Sequence, residues 1–408
     1  MNILIINQPP FNRGDESAHK ALLRTLLQRL PSAKIWIMFD VIHTESIRQY
    51  AVHNEHISYI KYPTHYLKSQ IITTKGLHKN RRWLWKLHPF FRTYHYIYNW
   101  ADVVVCAPGG ICMGGFQDWN HLFFLLLAKF YKKPLAYYGR SFGPFPTETE
   151  SNRLFKRYSL EMLNYFSFLS IRDHKTELLA QELKVPYVST VDTAFLDSPE
   201  VEIPYELKSL IGKKPYIVFV PNYLLWHYAY KEKVSHEQIM NFYSKVIDEL
   251  IAAFPNCNIV MLPQLFCGRV YALSDIDFFR DIAKMKKEDR IIVTPDCYSS
   301  DIQQTIIRGA EALLGSRYHS IVFAINQNVP FVALSYEHKI IGLLETLGKQ
   351  DCCVDITNTF LNEDKENTTI EQIRELLKSI GKDSVAQQKA KTIAHKCMDC
   401  FISSICEQ

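Results

Sequence analysis

The sequence predicts an α/β protein made of two tandem domains, each organised around a mostly parallel sheet. Three observations carry this. Short apolar runs bounded by Gly, Pro and Asn alternate with stretches of helical period, the pattern of repeated strand–helix units. A chain of 408 residues exceeds one ordinary core, so two domains of roughly 200 residues are the natural division. The alternation lapses where Pro199, Pro204 and Pro215 fall close together, and then restarts.

Taken in order, the strands of the first half are Asn2 to Asn7, Lys34 to Phe39, Ile57 to Ile60, Asp102 to Ala107, Leu135 to Tyr138, Phe168 to Ile171 and Tyr187 to Val191. After the first of them, Leu22, Leu23, Leu26, Leu27 and Leu30 draw one apolar helix face; Asn12, Gly14 and Asp15 form its opening turn, with Asp15 or Ser17 as cap. In the second half the strands are Tyr216 to Val220, Asn258 to Leu262, Arg290 to Val293, Ala312 to Leu314 and Phe331 to Leu334. The expected division is therefore an N-terminal domain over 1–205, a C-terminal domain over 206–375 and a helical segment over 376–408.

Apolar content of 47% and charged content of 22% suit a soluble globular protein, and a formal charge of +5 is too mild to argue for nucleic acid. The ten cysteines are scattered, which reads as reduced thiols in a cytoplasm rather than a disulfide framework. Cys397 and Cys400 have no second pair to complete a zinc site, so no metal is expected. MNILIINQPP reads as a strand and not a targeting leader, and the longest apolar run, Leu122 to Ala128, is far below the ~20 residues of a membrane span.

Ligands of open α/β sheets bind beyond the carboxyl ends of the strands, and with two such domains the cleft between them is the expected site. There, Gly315-Ser316 turns into a helix whose first turn carries Arg317 and His319. The next strand leads to Tyr336 and then Lys339, again at a helix start. If the two strands are parallel neighbours, the three basic residues converge on one edge. Free backbone N–H groups at helix starts favour an anion over a bare cation, so basic side chains gathered there imply a phosphate or carboxylate between them. Arg172 ends another strand in the first domain, ahead of Asp173 as the helix cap. "VVVCAPGGICMGG" runs a strand into Gly109 and Gly110, where backbone can approach a bound group; it is neither a dinucleotide-binding nor a Walker motif.

These pieces in order resemble the polysaccharide pyruvyl transferase family: Asn12-Arg13-Gly14-Asp15-Glu16, Pro108-Gly109-Gly110, Gly139-Arg140-Ser141-Phe142-Gly143-Pro144, Ser170-Ile171-Arg172-Asp173, Asp192-Thr193-Ala194-Phe195, Leu262-Pro263-Gln264, Arg317-Tyr318-His319 and Tyr336-Glu337-His338-Lys339. Two departures stand out: Ile111 where a third glycine is often seen, and Thr193 where a proline is often seen. The resemblance implies a GT-B-like fold, two Rossmann-like domains facing across a cleft. It also implies transfer of the enolpyruvyl unit of phosphoenolpyruvate to sugar hydroxyls as a ketal, in an exopolysaccharide, capsule or cell-envelope polymer. Donor binding and catalysis carry over to Arg172, Arg317, His319 and Lys339, with Ser316 beside them; Asn12, Gly14, Asp15, Gly109, Gly110 and Gln264 become loop or acceptor residues.

Phosphoenolpyruvate has a carboxylate and a phosphate of about −1.5 to −2 charge, so roughly three cations would balance it. In the expected mechanism His319, protonated beside the phosphate, acts as general acid toward the methylene carbon. Arg317 and Lys339 stabilise the leaving phosphate. No cofactor is needed beyond phosphoenolpyruvate as co-substrate. The competing readings are a GT-B glycosyltransferase using a nucleotide-sugar, and a non-catalytic scaffold at the membrane.

Residues 61–100 contain eight Lys/Arg, four His and ten aromatic residues but no Asp or Glu. Such a strip suits an anionic membrane surface or a lipid-diphosphate-linked oligosaccharide, with Arg81, Arg82, Trp83, Trp85 and Lys86 as contacts. An RNA-binding module is absent from it. The expected location is cytoplasmic, peripheral at the inner face of the cell membrane.

Overall fold

The computed structural model describes residues 1–9, 12–40, 44, 47–48, 51–62, 89–115, 117–227, 229–265 and 274–407. It divides into two compact units: Met1–Pro10, Ala18–Leu196 and Ile393–Gln408 form the first, and Phe11–Ser17 with Asp197–Thr392 form the second. The turn at Asn12–Asp15, expected in the N-terminal domain, thus belongs to the second unit.

The strands are β1 (Asn2–Ile6), β2 (Lys34–Asp40), β3 (Ile57–Tyr62), β4 (Val103–Cys106), β5 (Gly109–Met113), β6 (Leu135–Tyr137), β7 (Arg140–Phe142), β8 (Phe168–Ile171), β9 (Val188–Ser189), β10 (Tyr216–Val220), β11 (Asn258–Met261), β12 (Ile291–Val293), β13 (Leu313–Gly315), β14 (Phe331–Ser335) and β15 (Cys353–Asp355). In the first unit the sheet order is β3-β2-β1-β4-β6-β8-β9, every pairing parallel. In the second it is β12-β11-β10-β13-β14-β15, also parallel throughout. The runs NILII, VVVC, YIVFV and FVALS lack polar alternation because helices cover both faces of a parallel sheet.

Both orders reverse direction beside the unit's first strand, between β1 and β4 and between β10 and β13. Connections leave such a point in opposite directions and open a crevice beyond the carboxyl ends. Sequence reading missed three strands. β5 and β7 pair with each other as a separate two-stranded sheet, and their GGICM and RSF runs carry no strand period. β15 is a three-residue edge beside β14.

Helix ends follow local chemistry. Ser235 and Gln238 make a reciprocal capping box, and Asp173 accepts from the Thr176 N–H at 2.9 Å, the cap expected of it. The first long helix, Arg13–Arg29, is capped instead by Asn12, whose Oδ1 accepts from the Asp15 N–H at 2.7 Å; neither Asp15 nor Ser17 is the cap.

The end of the basic aromatic segment is core. Helix Pro89–Trp100 buries Tyr94 and Tyr98, stacks Trp100 on Trp36 at 3.8 Å, and ties the Tyr98 hydroxyl to the Phe124 carbonyl at 2.8 Å. The rings of Tyr94, Tyr98 and Trp100 serve packing there. Arg81, Arg82, Trp83, Trp85 and Lys86 lie outside the described residues. Among the described residues no helix is long and apolar enough to cross a membrane.

Candidate active site

In the second unit the reversal point is built around one buried phenol. Tyr243 Oη donates to the Asn222 carbonyl (3.0 Å), accepts from the Asn222 N–H (3.1 Å) and shares a hydrogen bond with Ser316 Oγ (3.1 Å). It joins the loop after β10 to the loop after β13, and burial pushes its pKa up to about 12. The Ser316 N–H adds a bond to the Val220 carbonyl at 2.9 Å. The turn bearing Arg317 is therefore fixed from two sides.

Arg317 stands at the N-cap of helix Tyr318–Asn326, in extended backbone, and its guanidinium pairs with Asp275. Asp275 is 1% exposed, and its other oxygen accepts from the Gln264 N–H (3.0 Å) and the Leu265 N–H (2.9 Å). Burial, the largest single effect, acts to lower the Arg317 pKa, but Asp275 together with Tyr336 and Tyr243 outweighs it and the net direction is upward. Arg317 Nε and Gln264 Nε2 are buried with no acceptor among the described residues. Native interiors rarely leave donors so.

The N-terminal turn closes on the same place. The Arg13 N–H donates to the Gln264 carbonyl at 2.9 Å, and Asn12 bridges to Leu265. The Arg13 side chain pairs with Glu16 at 2.6 Å and donates to the Cys297 carbonyl, while Glu16 Oε1 accepts from the Ser300 N–H and hydroxyl at 3.1 Å each. Gly14 then lies directly against the His319 ring, where an added Cβ would fall 1.8 Å from Nδ1. Tyr318 meets the ring edge-on with centroids 5.1 Å apart.

β13 and β14 are parallel neighbours with Gly315 opposite Ala333, so Arg317 and the Tyr336–Lys339 turn leave the same edge. Lys339 Nζ lies 3.4 Å from Glu337 Oε1, which also accepts from the Tyr336 hydroxyl at 3.2 Å. Ser316, Arg317, His319, Lys339, Gln264, Asn12, Gly14 and Asp15 thus share the second unit. Asp275 and Tyr243 join them unannounced: an acidic residue opening a helix reads as dipole complement, and a tyrosine in an apolar helix face reads as core.

Arg172, Gly109 and Gly110 belong to the first unit. Arg172 pairs there with Asp192, fully buried, whose other oxygen caps the Ala194 N–H at 3.0 Å; the partner is not the adjacent Asp173. Arg140 is 1% exposed and donates to the carbonyls of Ala107 (2.7 Å), Gly110 (3.0 Å) and Asn7 (3.1 Å), so it staples the reversal-point loops of this unit. Gly109 is explained by packing, since a Cβ would meet Pro9 at 2.9 Å and Arg140 at 3.2 Å; Gly110 faces open space.

One correction follows for the charge count. Arg172, Arg317 and Lys339 each have a carboxylate partner in Asp192, Asp275 and Glu337, so they are not bare cations awaiting an anion. What the second unit offers an anion is oriented donors: the free Nε of Arg317, the Gln264 amide and a helix N-terminus. Among the described residues no group of three His, Cys, Asp or Glu side chains gathers as metal ligands would.

Comparison with known proteins agrees with this architecture. The chain matches UDP-GlcNAc 2-epimerase from Neisseria meningitidis bound to UDP-GlcNAc at 11% identity and TM-score 0.53, over 98% of this chain and 99% of that one. It matches sucrose-phosphate synthase from Thermosynechococcus elongatus at 10% identity and TM-score 0.53, over 100% of both chains. These likenesses identify the fold as GT-B-like α/β. The amylovoran biosynthesis protein AmsJ of Erwinia amylovora is 24% identical over 269 residues, 62% of this chain and 61% of that protein's length. With the motifs already placed on the two sheets, and a family match running from residue 12 to residue 338, the chain belongs to the polysaccharide pyruvyl transferase family.

Proposed function

We propose that the protein transfers the enolpyruvyl unit of phosphoenolpyruvate to hydroxyls of a sugar in a lipid-linked polysaccharide precursor, forming a pyruvate ketal and releasing phosphate. The observation that carries the reading is the pair of buried donors without acceptors among the described residues, Arg317 Nε and Gln264 Nε2, on the second unit that also carries His319 at the carboxyl edge of its parallel sheet. A small ligand rich in acceptor oxygens satisfies both. Family membership and the similarity to a protein named for amylovoran biosynthesis support the polysaccharide context.

In this mechanism Arg317, paired with Asp275, and Lys339 bind the phosphate. His319 gives its proton to the methylene carbon, and positive charge develops at the adjacent carbon. An acceptor hydroxyl attacks that carbon, a second hydroxyl of the same sugar displaces phosphate, and the ring closes as a ketal. Arg317 and Lys339 stabilise the departing phosphate. Of the two acceptor protons lost, one leaves with phosphate and the other restores the proton on His319.

The test is phosphate release from phosphoenolpyruvate, dependent on an added lipid-linked oligosaccharide fraction. His319→Ala should abolish release and leave the protein folded; near-normal release removes His319 from the mechanism. A nucleotide-sugar glycosyltransferase of this fold would instead release a nucleoside diphosphate, and a scaffold would release neither.

A further inference from the structure

Among the described residues of the second unit, Trp226 presents an exposed aromatic surface to which the proposed mechanism assigns no role. Trp226 ends a short 3-10 turn, Leu224–Trp226, just after β10, beside β13 in the sheet. Its ring is 45% exposed. Its indole N–H is already spent on Asn222 Oδ1 at 3.0 Å, and Asn222 is the residue clamped by the Tyr243 hydroxyl that also holds Ser316. Trp226 is therefore tied through Asn222 and Tyr243 to the turn carrying Arg317. His227 stands perpendicular to it at 5.4 Å and Tyr336 at 6.2 Å, so the ring is wedged in one orientation.

With the N–H satisfied internally, what Trp226 presents to solvent is π-face and carbon. Around it the surface is polar: Tyr336 leads to Glu337 and Lys339, and both of these act electrostatically on His227. An apolar plate inside a rim of a carboxylate, an ammonium and an imidazole matches one ligand shape well. A hexopyranose has a flat face of C–H bonds and a rim of hydroxyls. A lipid surface would be repelled by the carboxylate and would need more than one ring.

We propose that Trp226 is the stacking platform for the hexopyranose ring of the acceptor, with Glu337 and His227 at its hydroxyl rim. The proposal rests on the pyruvyl-transfer reading for the identity of the sugar as acceptor. It places the acceptor beside the donor on the second unit.

The test is saturation-transfer-difference NMR of the whole protein with methyl glycosides of glucose, galactose and mannose, read alongside phosphate release. Transfer to ring C–H protons of at least one glycoside is expected in the wild type. It should fall at least fivefold in Trp226→Ala and recover in Trp226→Phe, with an unchanged melting temperature. In turnover, Trp226→Ala should raise the acceptor KM about tenfold and leave the KM for phosphoenolpyruvate alone. Equal transfer in Trp226→Ala, transfer from none of the three glycosides, or a response only to UMP overturns the platform. Glycoside binding lost in Trp226→Ala while phosphoenolpyruvate is never consumed leaves the platform standing and removes pyruvyl transfer; normal transfer with an unchanged acceptor KM does the reverse.

Discussion

Gly14 and His319 occupy the same few ångströms: the imidazole fills the volume a side chain at residue 14 would need, with Nδ1 1.8 Å and Cγ 2.0 Å from where a Cβ would stand. Residue 14 lies in the first turn of a helix, where glycine carries part of the about 1 kcal/mol disadvantage relative to alanine that it has in a helix interior. The absence of a side chain there therefore has a local cost that the His319 position explains. Gly14→Ala should push the ring aside, which a rotatable side chain can do without unfolding anything. In the proposed mechanism His319 is the general acid, and displacement of a catalytic group by about 1 Å costs on the order of 100-fold in rate. The expected result is such a loss in kcat with a melting temperature within a few degrees of wild type, and a variant that turns over normally would sever the link.

Asp275 offers a second prediction because it serves Arg317 and two backbone N–H groups at once. Removing one member of a buried ion pair strands the other, at about 3–5 kcal/mol. Asp275→Ala should lose stability on that scale in urea unfolding. Asp275→Asn, which keeps an acceptor oxygen but no charge, should lose less. With phosphoenolpyruvate as the proposed donor, both should bind it more weakly, since Arg317 then loses its charged partner. If Asp275→Ala unfolds at the wild-type midpoint, the pair has no structural role.

How much of this could be read from sequence depends on the range of the signal. The parallel strands were legible because runs such as VVVC and FVALS are continuous and bounded by glycine, and residues at their carboxyl ends were marked for function by that position alone. Arg317, His319 and Lys339 were found that way. The pairing of Arg317 with Asp275 and of Arg172 with Asp192 was not. Asp275 lies 42 residues from Arg317 and Asp192 lies 20 from Arg172, and nothing in local composition couples such positions. The Asn12–Ser17 turn was visible as a motif, yet its membership of the second unit depends on long-range bonds from Arg13 and Glu16 to residues 297 and 300. β5 and β7 escaped because a pair of short strands that match only each other leaves no amphipathic pattern.

Arg140 tests the first unit. A guanidinium almost wholly buried has no ion pair among the described residues and relies on three carbonyls and the Cys112 thiol, 3.1 Å from Nη2. Only a planar fork reaches all of them, whereas an ammonium is a point donor. Arg140→Lys should therefore destabilise by roughly 3 kcal/mol, the scale of leaving buried polar groups unpaired. The loops at Asn7 and Gly110 should loosen with it. Hydrogen exchange at residues 107–110 reads the local effect and denaturant titration the global one; a lysine variant protected like the wild type would show that the carbonyls do not need the fork.

Acid sensitivity follows from two imidazoles on the first unit's core. Burial, with Lys20 adding to it, lowers the His19 pKa from 6.5 to about 3, and burial, with Arg140 adding to it, holds His121 well below the ordinary value. Both are neutral in the folded protein at neutral pH and gain no stability there. As pH falls below about 6.5 the unfolded chain takes up protons that the folded chain refuses, so stability drops, and for His19 the drop continues until the folded group titrates near 3. Each refused proton is worth about 1.4 kcal/mol per pH unit, or roughly 2 kcal/mol per histidine at pH 5. Urea midpoints measured at pH 7.5 and pH 5 should separate accordingly, and His19→Gln should shrink the separation by nearly half. A wild type equally stable at both values would mean that water reaches these rings, and a variant with an undiminished separation would assign the acid loss elsewhere.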